Sequence, residues 1–269
     1  MPDGEVENRI LPGLVSVTFR KLTPPQIVEL VSLGRLVGVE WGGDVHVPHG
    51  DLARGEEVGR MTRDAGLAVA AYGSYFEVGE SEAEGLPFAS VLETALALGA
   101  PLIRVWAGRS GPAQTDATTR QRIIADSQRI AELAVAARVP VAFEFHGGTL
   151  TETAQSALDL LCAVHHPNLA TLWQAPVGMD DAACVASLRQ VLPQVRNVHV
   201  FHLAPDNPAD RRPLAEGAAR WRTLFNILSE TNRAHYALLE FVANDDPQSF
   251  LRDAQTLREL CASAGSSRS

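Results

Sequence analysis

The segment VPVAFEFHGGTLTET, residues 139–153, carries two residues that could do chemistry at the end of an apolar strand. Glu144 and His146 lie two positions apart, so the alternation of a β-strand turns both side chains to the same side. A carboxylate at the end of a buried strand is costly unless it is paired, protonated or bound to a metal ion. The segment therefore indicates that Glu144 has a partner elsewhere in the chain.

Three other apolar runs carry a polar residue near their carboxyl ends. Gln174 ends LATLWQ, His199 lies in VRNVHVF, and Glu240 lies in YALLEFV. With Glu144, these residues offer two carboxylates, an amide oxygen and an imidazole from four consecutive predicted strands. Such a set suits Mn²⁺, Mg²⁺ or Co²⁺ better than a thiolate-seeking ion. Two negative ligands would balance a divalent ion, so we predict a metal site here.

Each residue of this set also has a structural explanation. Glu144 could pair with Arg104 on the neighbouring strand, and Glu240 could accept hydrogen bonds from backbone amides. His199 could be a neutral core histidine, and Gln174 could be a hydrogen-bonding spacer. Three other histidines lie near strand ends: His46, His49 and His202. Each could equally be a solvated loop residue or a metal ligand.

Eight short β-like runs, separated by segments of helical periodicity, must position these residues. The runs begin about 22 to 41 residues apart, which is the spacing expected of βα units. Their bounds are 14–19, 36–41, 67–72, 101–106, 139–145, 169–174, 195–201 and 236–242. The helical segments are 23–34, 88–99, 118–139, 151–165, 180–191, 217–230 and 247–263.

This alternation predicts a single α/β domain over residues 1–269 that folds as a (β/α)₈ TIM barrel, with flexible ends at 1–12 and 263–269. In that fold the reacting groups lie at the carboxyl ends of the strands, which is where the polar residues fall. A doubly wound open sheet is the alternative. No Gly-x-Gly-x-x-Gly follows any predicted strand, however, so the usual nucleotide site of such a sheet is missing.

Composition argues against several classes of protein. The net charge is −9 and no basic stripe is present, so we expect no nucleic-acid partner. We predict neither a membrane span nor a secretory signal, because long apolar runs and a basic N-terminal region are missing, and we expect a cytoplasmic protein. The partner should be a small molecule, and the sequence does not decide whether the chain forms a homo-oligomer. Reduced, packed thiols are expected for the three cysteines, Cys162, Cys184 and Cys261.

Four motifs resemble the xylose isomerase-like barrel superfamily of sugar phosphate isomerases and epimerases. They are FEFHGGTLTET, RNVHVFHL, RPLAEGAARW and LLEFV, and the resemblance covers essentially the whole chain. The family typically binds a divalent metal through Glu, Asp, His and Glu from strands five to eight. The resemblance implies that Glu144, Gln174, His199 and Glu240 hold the ion. Mn²⁺ is the expected metal, with Mg²⁺, Co²⁺ or Zn²⁺ as alternatives.

Gln174 departs from the family pattern, in which an aspartate is usual at this position. A neutral ligand removes one negative charge, which should weaken metal binding and leave the ion more electrophilic. The sequence WQAPVGMDD also lacks the histidine that ketose epimerases carry shortly after that aspartate. Their substrate contacts therefore cannot be transferred intact to this chain.

The constellation implies enediolate chemistry on a sugar, sugar phosphate or cyclitol. The ion would chelate a carbonyl and the adjacent hydroxyl, while Glu144 and Glu240 would move protons. Carboxylates on opposite faces of the carbon would give epimerisation, and one carboxylate alone would give isomerisation. The candidate substrate contacts are His146, Trp106, Tyr72, His46 and Arg212; Arg211 and Arg212 could either approach an anionic substituent or be solvated.

An isomerase or epimerase is thus the prediction, and three other functions stay open. A keto-cyclitol dehydratase would use the same enediolate and then expel hydroxide. A sugar-binding barrel would result if Gln174 prevents turnover. An endonuclease of abasic DNA shares the barrel but needs a histidine-rich three-metal cluster and a basic face, and the charge of −9 argues against it.

Overall fold

The eight predicted strands form one closed parallel barrel. The computed structural model describes residues 10–204, 206–231 and 233–265. The first seven barrel strands are Ile10–Val15 (β1), Gly38–Gly42 (β2), Ala68–Glu77 (β3), Ile103–Trp106 (β4), Val141–Glu144 (β5), Leu169–Gln174 (β6) and Val195–Val200 (β7). A hairpin of Leu203–Ala204 (β8) and Asn207–Arg211 (β9) follows, and His235–Leu239 (β10) is the eighth barrel strand. They hydrogen-bond in chain order, and β10 pairs with β1 to close the barrel. The (β/α)₈ prediction is confirmed.

Helices surround the barrel and connect its strands. They are Pro24–Leu33 (α1), Leu52–Asp64 (α2), Phe88–Leu98 (α3), Ala117–Ala136 (α4), Ala154–Val164 (α5), Asp181–Val191 (α6), Ala218–Leu228 (α7) and Pro247–Ser263 (α8). Capping residues set several starts: Asp116 accepts a hydrogen bond from the Thr119 amide, and Thr153 accepts one from the Ser156 amide. Within the described residues, no helix is both long and apolar enough to cross a membrane. All three cysteines are free thiols.

Helix α2 is the helix that sequence periodicity missed. Its buried face consists of Gly55, Val58, Gly59 and Thr62, so small residues replace the large apolar ones that make a helical pattern visible. A Cβ atom at Gly59 would lie 2.2 Å from the Leu98 carbonyl oxygen. Close packing of α2 on α3 therefore requires the residues that weaken the hydrophobic signal.

The first strand begins earlier than predicted. Residues Ile10–Pro12 pair with β10, so the expectation of a flexible end is wrong for 10–12, and residues 1–9 and 266–269 lie outside the described part of the chain. Of the predicted strand 14–19, residues 14 and 15 lie in β1 and Ser16–Phe19 form a short 3₁₀ turn. Its residues are buried at the mouth of the barrel, and burial explains why they resemble a strand in composition.

Strand β3 extends past its predicted end at residue 72 to Glu77. Its pairing with β4 shifts register between Gly73 and Phe76, and Tyr75 within this irregularity has a positive φ of 54°. A bulge of this kind changes the direction of a side chain. Here it brings Tyr75 to the carboxyl end of the barrel.

Candidate active site

The carboxyl ends of neighbouring strands bring the predicted ligand set together. Glu144 ends β5, Gln174 ends β6, His199 lies in β7 and Glu240 follows β10. The His199 Nδ1 atom lies 3.2 Å from Gln174 Oε1 and 3.4 Å from Glu144 Oε1. Its distance to Glu240 Oε2 is 3.3 Å. One ligand atom from each of Glu144, His199 and Glu240 lies within 4.8 Å of the others, so the four side chains meet around one point.

This arrangement suits a cation better than a hydrogen-bond network. A ring nitrogen carries one proton or one lone pair, so His199 Nδ1 cannot serve three oxygen atoms at once. The Oε2 atom of Glu240 is buried and makes no hydrogen bond within the described part of the chain, which is unfavourable for a carboxylate. A cation between these atoms would bind both His199 Nδ1 and the unpaired Glu240 Oε2. The buried cluster of Glu144, His199 and Glu240 could thus hold a metal ion.

A buried arginine fixes the position of Glu144. Arg104 on β4 is 1% exposed, and its Nε donates a hydrogen bond of 2.7 Å to Glu40 Oε1. Its Nη1 donates to Glu144 Oε2, and the Trp106 indole nitrogen donates to the same oxygen. The pairing of Glu144 with Arg104 considered above is therefore present. It occupies Oε2 and leaves Oε1 on the side of His199.

Glu40 on β2 is a site residue to which the sequence analysis assigned no role. Its Oε2 lies 3.3 Å from His199 Nε2, and both side chains are fully buried. Because a carboxylate can only accept, Nε2 carries the proton, and Nδ1 of the neutral ring presents its lone pair to the oxygen cluster. Carboxylates orient metal-binding histidines in this way. Glu40 ends an apolar run, LVGVEW, which is the same signal that identified Glu144.

These residues form the floor of the barrel mouth, which comprises Glu40, Arg104, Glu144, Gln174, His199 and Glu240. Three carboxylates and one guanidinium lie there, so the floor carries two excess negative charges when the His199 ring is neutral and one when it is protonated. Burial alone would lower the pKa of His199, but Glu240 and Glu40 raise it well above its usual value. Burial would raise the pKa of Glu144, but Arg104 and His199 hold it well below the usual range. The excess negative charge matches a divalent cation.

A cavity of about 630 Å³ opens above the floor. His146 stacks on Trp106, with ring centroids 4.5 Å apart and planes at 26°. Tyr75 contacts Trp106 edge to face at 5.5 Å, and the Arg104 guanidinium lies 4.5 Å from the centre of the Tyr75 ring. The three side chains form an aromatic wall that suits one face of a small ring. Trp106 and His146 were predicted from the sequence as substrate contacts, and Tyr75 was not.

The hydrogen bond of His146 identifies its basic nitrogen. Its Nδ1 lies 2.8 Å from the Gly147 carbonyl oxygen. Because a carbonyl can only accept a hydrogen bond, Nδ1 carries the ring proton and Nε2 of the neutral ring carries the lone pair. His146 lines the cavity and therefore offers a proton acceptor close to Glu144.

Three predicted substrate contacts lie elsewhere. The buried Tyr72 hydroxyl donates a hydrogen bond of 2.8 Å to the Val47 carbonyl, away from the cavity. His46 is buried between the Ser16 hydroxyl and the Leu22 carbonyl. Arg212 pairs with Asp210 in an exposed ion pair. None of the three lines this cavity. The cavity is lined instead by Tyr75 and Arg211.

A family model described as the xylose isomerase-like TIM barrel matches residues 30–260. The chain belongs to this family. The solved structures that resemble this xylose isomerase-like barrel include the probable 3-DHS dehydratase AsbF of Bacillus anthracis, with a TM-score of 0.78, 21% identity, and coverage of 93% of this chain and 98% of that chain. They also include a D-psicose 3-epimerase of Clostridium cellulolyticum H10 crystallised with D-tagatose, with a TM-score of 0.71, 14% identity, and coverage of 94% and 98%. At these identities the likeness establishes the fold.

A third structure is a xylose isomerase-like TIM barrel protein of Mycobacterium smegmatis in complex with magnesium, with a TM-score of 0.68, 16% identity, and coverage of 94% of this chain and 97% of that chain. In sequence, the xylose isomerase-like barrel is 29% identical over 165 residues to a 3-dehydroshikimate dehydratase of Bacillus anthracis. That match covers 53% of this chain and 56% of the relative. The chain thus spans about half the length of the curated relative that it matches.

Proposed function

We propose that this protein is a divalent-metal-dependent dehydratase that acts on a small polyhydroxylated ketone. The observation that supports this function most strongly is the convergence of Glu144, Gln174, His199 and Glu240 below a cavity of about 630 Å³. Those four residues would hold the ion through three oxygen atoms and His199 Nδ1. Mn²⁺ fits the donor set best, and Mg²⁺, Co²⁺ and Zn²⁺ are alternatives. A bound ion would polarise the substrate carbonyl and acidify the neighbouring carbon.

Proton transfer is assigned to His146 and Glu240. The lowered pKa of Glu144 and the occupation of its Oε2 by Arg104 and Trp106 make it a poor proton acceptor and a good ligand. His146 lines the cavity with a free lone pair on Nε2. Glu240 reaches the cavity from β10, three strands away from β5. His146 thus replaces Glu144 in the expected pair of proton-transfer groups, and Glu240 keeps its role.

Dehydration needs one proton removed and one hydroxyl expelled. His146 would accept the proton from the carbon beside the carbonyl, and the released electron pair would form a carbon–carbon double bond. The hydroxyl of the next carbon would leave as water by taking the proton that His146 has accepted, passed on through Glu240 Oε1, the carboxylate oxygen that does not face His199. The dehydratase of Bacillus anthracis that matches this chain in sequence supports this outcome. The aromatic wall of Tyr75, Trp106 and His146 is compatible with a cyclic substrate.

Epimerisation of a ketose is the second candidate. It is supported by the likeness in fold to D-psicose 3-epimerase and by carboxylates from β5 and β10 on both sides of His199. An epimerase would return the proton to the opposite face of the same carbon rather than expel a hydroxyl. The two reactions therefore share their first step and differ in the second.

The test is to incubate Mn²⁺-loaded protein with 3-dehydroshikimate and to follow the absorbance of the dihydroxybenzoate that forms when water is lost. The same protein is incubated with D-psicose and D-tagatose in deuterated solvent. Metal-dependent dehydration supports the proposal. Deuterium exchange into a ketose without dehydration makes the protein an epimerase, and binding without either reaction makes it a sugar-binding barrel. Glu240→Gln serves as the inactive control, after its metal content is measured.

A further inference from the structure

Opposite arcs of the cavity mouth differ in chemistry. Tyr75, Trp106 and His146 follow β3, β4 and β5 and form the aromatic wall. Arg211 follows β7, while Arg20 and Lys21 follow β1. Because β7, β10 and β1 are consecutive in the barrel, the three cations come from strands across from the aromatic wall, and Arg20 reaches back to the Tyr75 hydroxyl at the edge of that wall. We name Arg20, Lys21 and Arg211 the cationic arc.

Two members of the cationic arc already have acidic partners. Arg20 forms an ion pair with Asp44, and Arg211 forms one with Asp245. The Arg211 guanidinium also lies 4.8 Å from the centre of the Phe241 ring. Their charges are therefore compensated, and each would have to exchange a partner before binding an anion.

Lys21 differs from both arginines. Within the described residues its ammonium group forms no hydrogen bond or ion pair, and its side chain is exposed at the cavity. Lys21 is also the single lysine of the chain, among 23 basic residues. The cationic arc therefore carries one uncompensated positive charge, and this charge belongs to Lys21.

We propose that Lys21 binds an anionic substituent, a carboxylate, on the substrate ring, an inference that rests on the proposed function and extends it. A divalent ion would neutralise the floor, so the floor would not attract a net negative ligand. The protein itself has a net charge of −9, so an anionic ligand needs a local cation to approach. A ring placed on the aromatic wall, with its carbonyl over the floor, would direct such a substituent to the cationic arc.

Binding of shikimate and of its methyl ester tests this inference without any reaction. Both compounds carry the same ring, and only shikimate carries the charge. Their dissociation constants for Mn²⁺-loaded protein are measured by calorimetry for the wild type, Lys21→Met, Lys21→Arg and the surface control Arg60→Gln. Loss of a charge-assisted contact should weaken shikimate binding by about 10- to 100-fold in Lys21→Met. Lys21→Arg and Arg60→Gln should bind as the wild type does, and the ester should bind all four proteins equally.

A spectroscopic measurement on the same protein locates the contact. Reductive methylation with ¹³C-formaldehyde labels one lysine side chain, and its NMR signal should shift on addition of shikimate and stay in place on addition of the ester. A shift with inorganic phosphate alone would mean that Lys21 is a phosphate site, and this result would overturn the assignment to a carboxylate. Equal shikimate affinity in Lys21→Met and the wild type would overturn the inference altogether.

The two proposals fail separately. Dehydration with unchanged kinetics in Lys21→Met would leave the dehydratase intact and remove the role of Lys21. Lys21-dependent shikimate binding without dehydration would remove the dehydratase and leave the anion site.

Discussion

The floor of the barrel mouth and the cationic arc above it hold the same kinds of charge in different surroundings. On the floor, the side chains of Arg104 and Glu40 are 1% and 0% exposed. On the arc, those of Arg211 and Asp245 are 29% and 58% exposed. An unpaired charge is costly in a buried site and is screened by water at the surface. Arg104, Glu40 and His199 on the floor are each held by two side-chain partners, while the arc can leave Lys21 free for a ligand.

The largest effect is expected for Arg104→Met. This change leaves Glu40 and Glu144 without their nearest cation, and breaking a buried pair costs about 3–5 kcal/mol. Urea unfolding of the metal-free protein measures the loss in the free energy of unfolding. A loss below 1 kcal/mol would mean that the floor is solvated and that its charges need no compensation.

Loss of the proposed base should follow in size. We expect His146→Ala to lower kcat for dehydration by about 10²- to 10⁴-fold while the protein keeps its metal, because His146 is not one of the proposed ligands. His166→Ala, at a half-buried histidine that pairs with Glu132 outside the cavity, is the matched control. If His146→Ala retains most of its kcat with metal bound, proton removal belongs to a carboxylate.

Metal binding should strengthen as the pH rises. The pKa of His199 lies well above 6.5 in the metal-free floor, so a cation must displace a proton, and affinity should rise by up to about tenfold per pH unit below that raised pKa. The raised pKa stabilises the metal-free protein fully below about pH 6.5, and this stability is lost as the pH rises through the folded value. Calorimetric titration with Mn²⁺ between pH 6 and 8 measures the first effect. A constant affinity would place His199 outside the ligand set.

A smaller change is expected for Gln174→Asp. The substitution adds a negative charge beside His199 Nδ1, which lies 3.2 Å from Gln174 Oε1, and should tighten Mn²⁺ binding by about tenfold. Titration of the two metal-free proteins at one pH measures the difference. Equal affinities would show that residue 174 does not contact the ion.

The smallest effect is expected on the arc, where Arg211→Met is the counterpart of Arg104→Met. An exposed ion pair contributes about 0–1 kcal/mol, so the free energy of unfolding should change by no more than about 1 kcal/mol. The same urea experiment applies. A loss as large as that of Arg104→Met would contradict the contrast between floor and arc.

Most residues of the floor could be predicted from the sequence. Glu144, Gln174, His199 and Glu240 were found because a polar residue in an apolar run stands out, and parallel strands of a barrel must bring their carboxyl ends together. Glu40 carries the same signal but received no role, because its function depends on the position of His199 across the barrel. The roles of Glu144, Gln174, His199 and Glu240 as metal ligands stay predictions, as do the cytoplasmic location and the lack of a nucleic-acid partner.

The sequence by itself determined the eight-fold alternation and the four residues that meet at the barrel mouth, Glu144, Gln174, His199 and Glu240. Tertiary structure decided which neighbouring residue reaches the cavity: Tyr75 rather than Tyr72, and Arg211 rather than Arg212. The physical reason is that successive residues of a strand point to opposite faces, so a small shift changes the face that a side chain occupies. The irregularity of β3 at Gly73–Phe76 and the β8–β9 hairpin introduce such shifts, and both form through contacts with neighbouring strands that local sequence patterns do not specify.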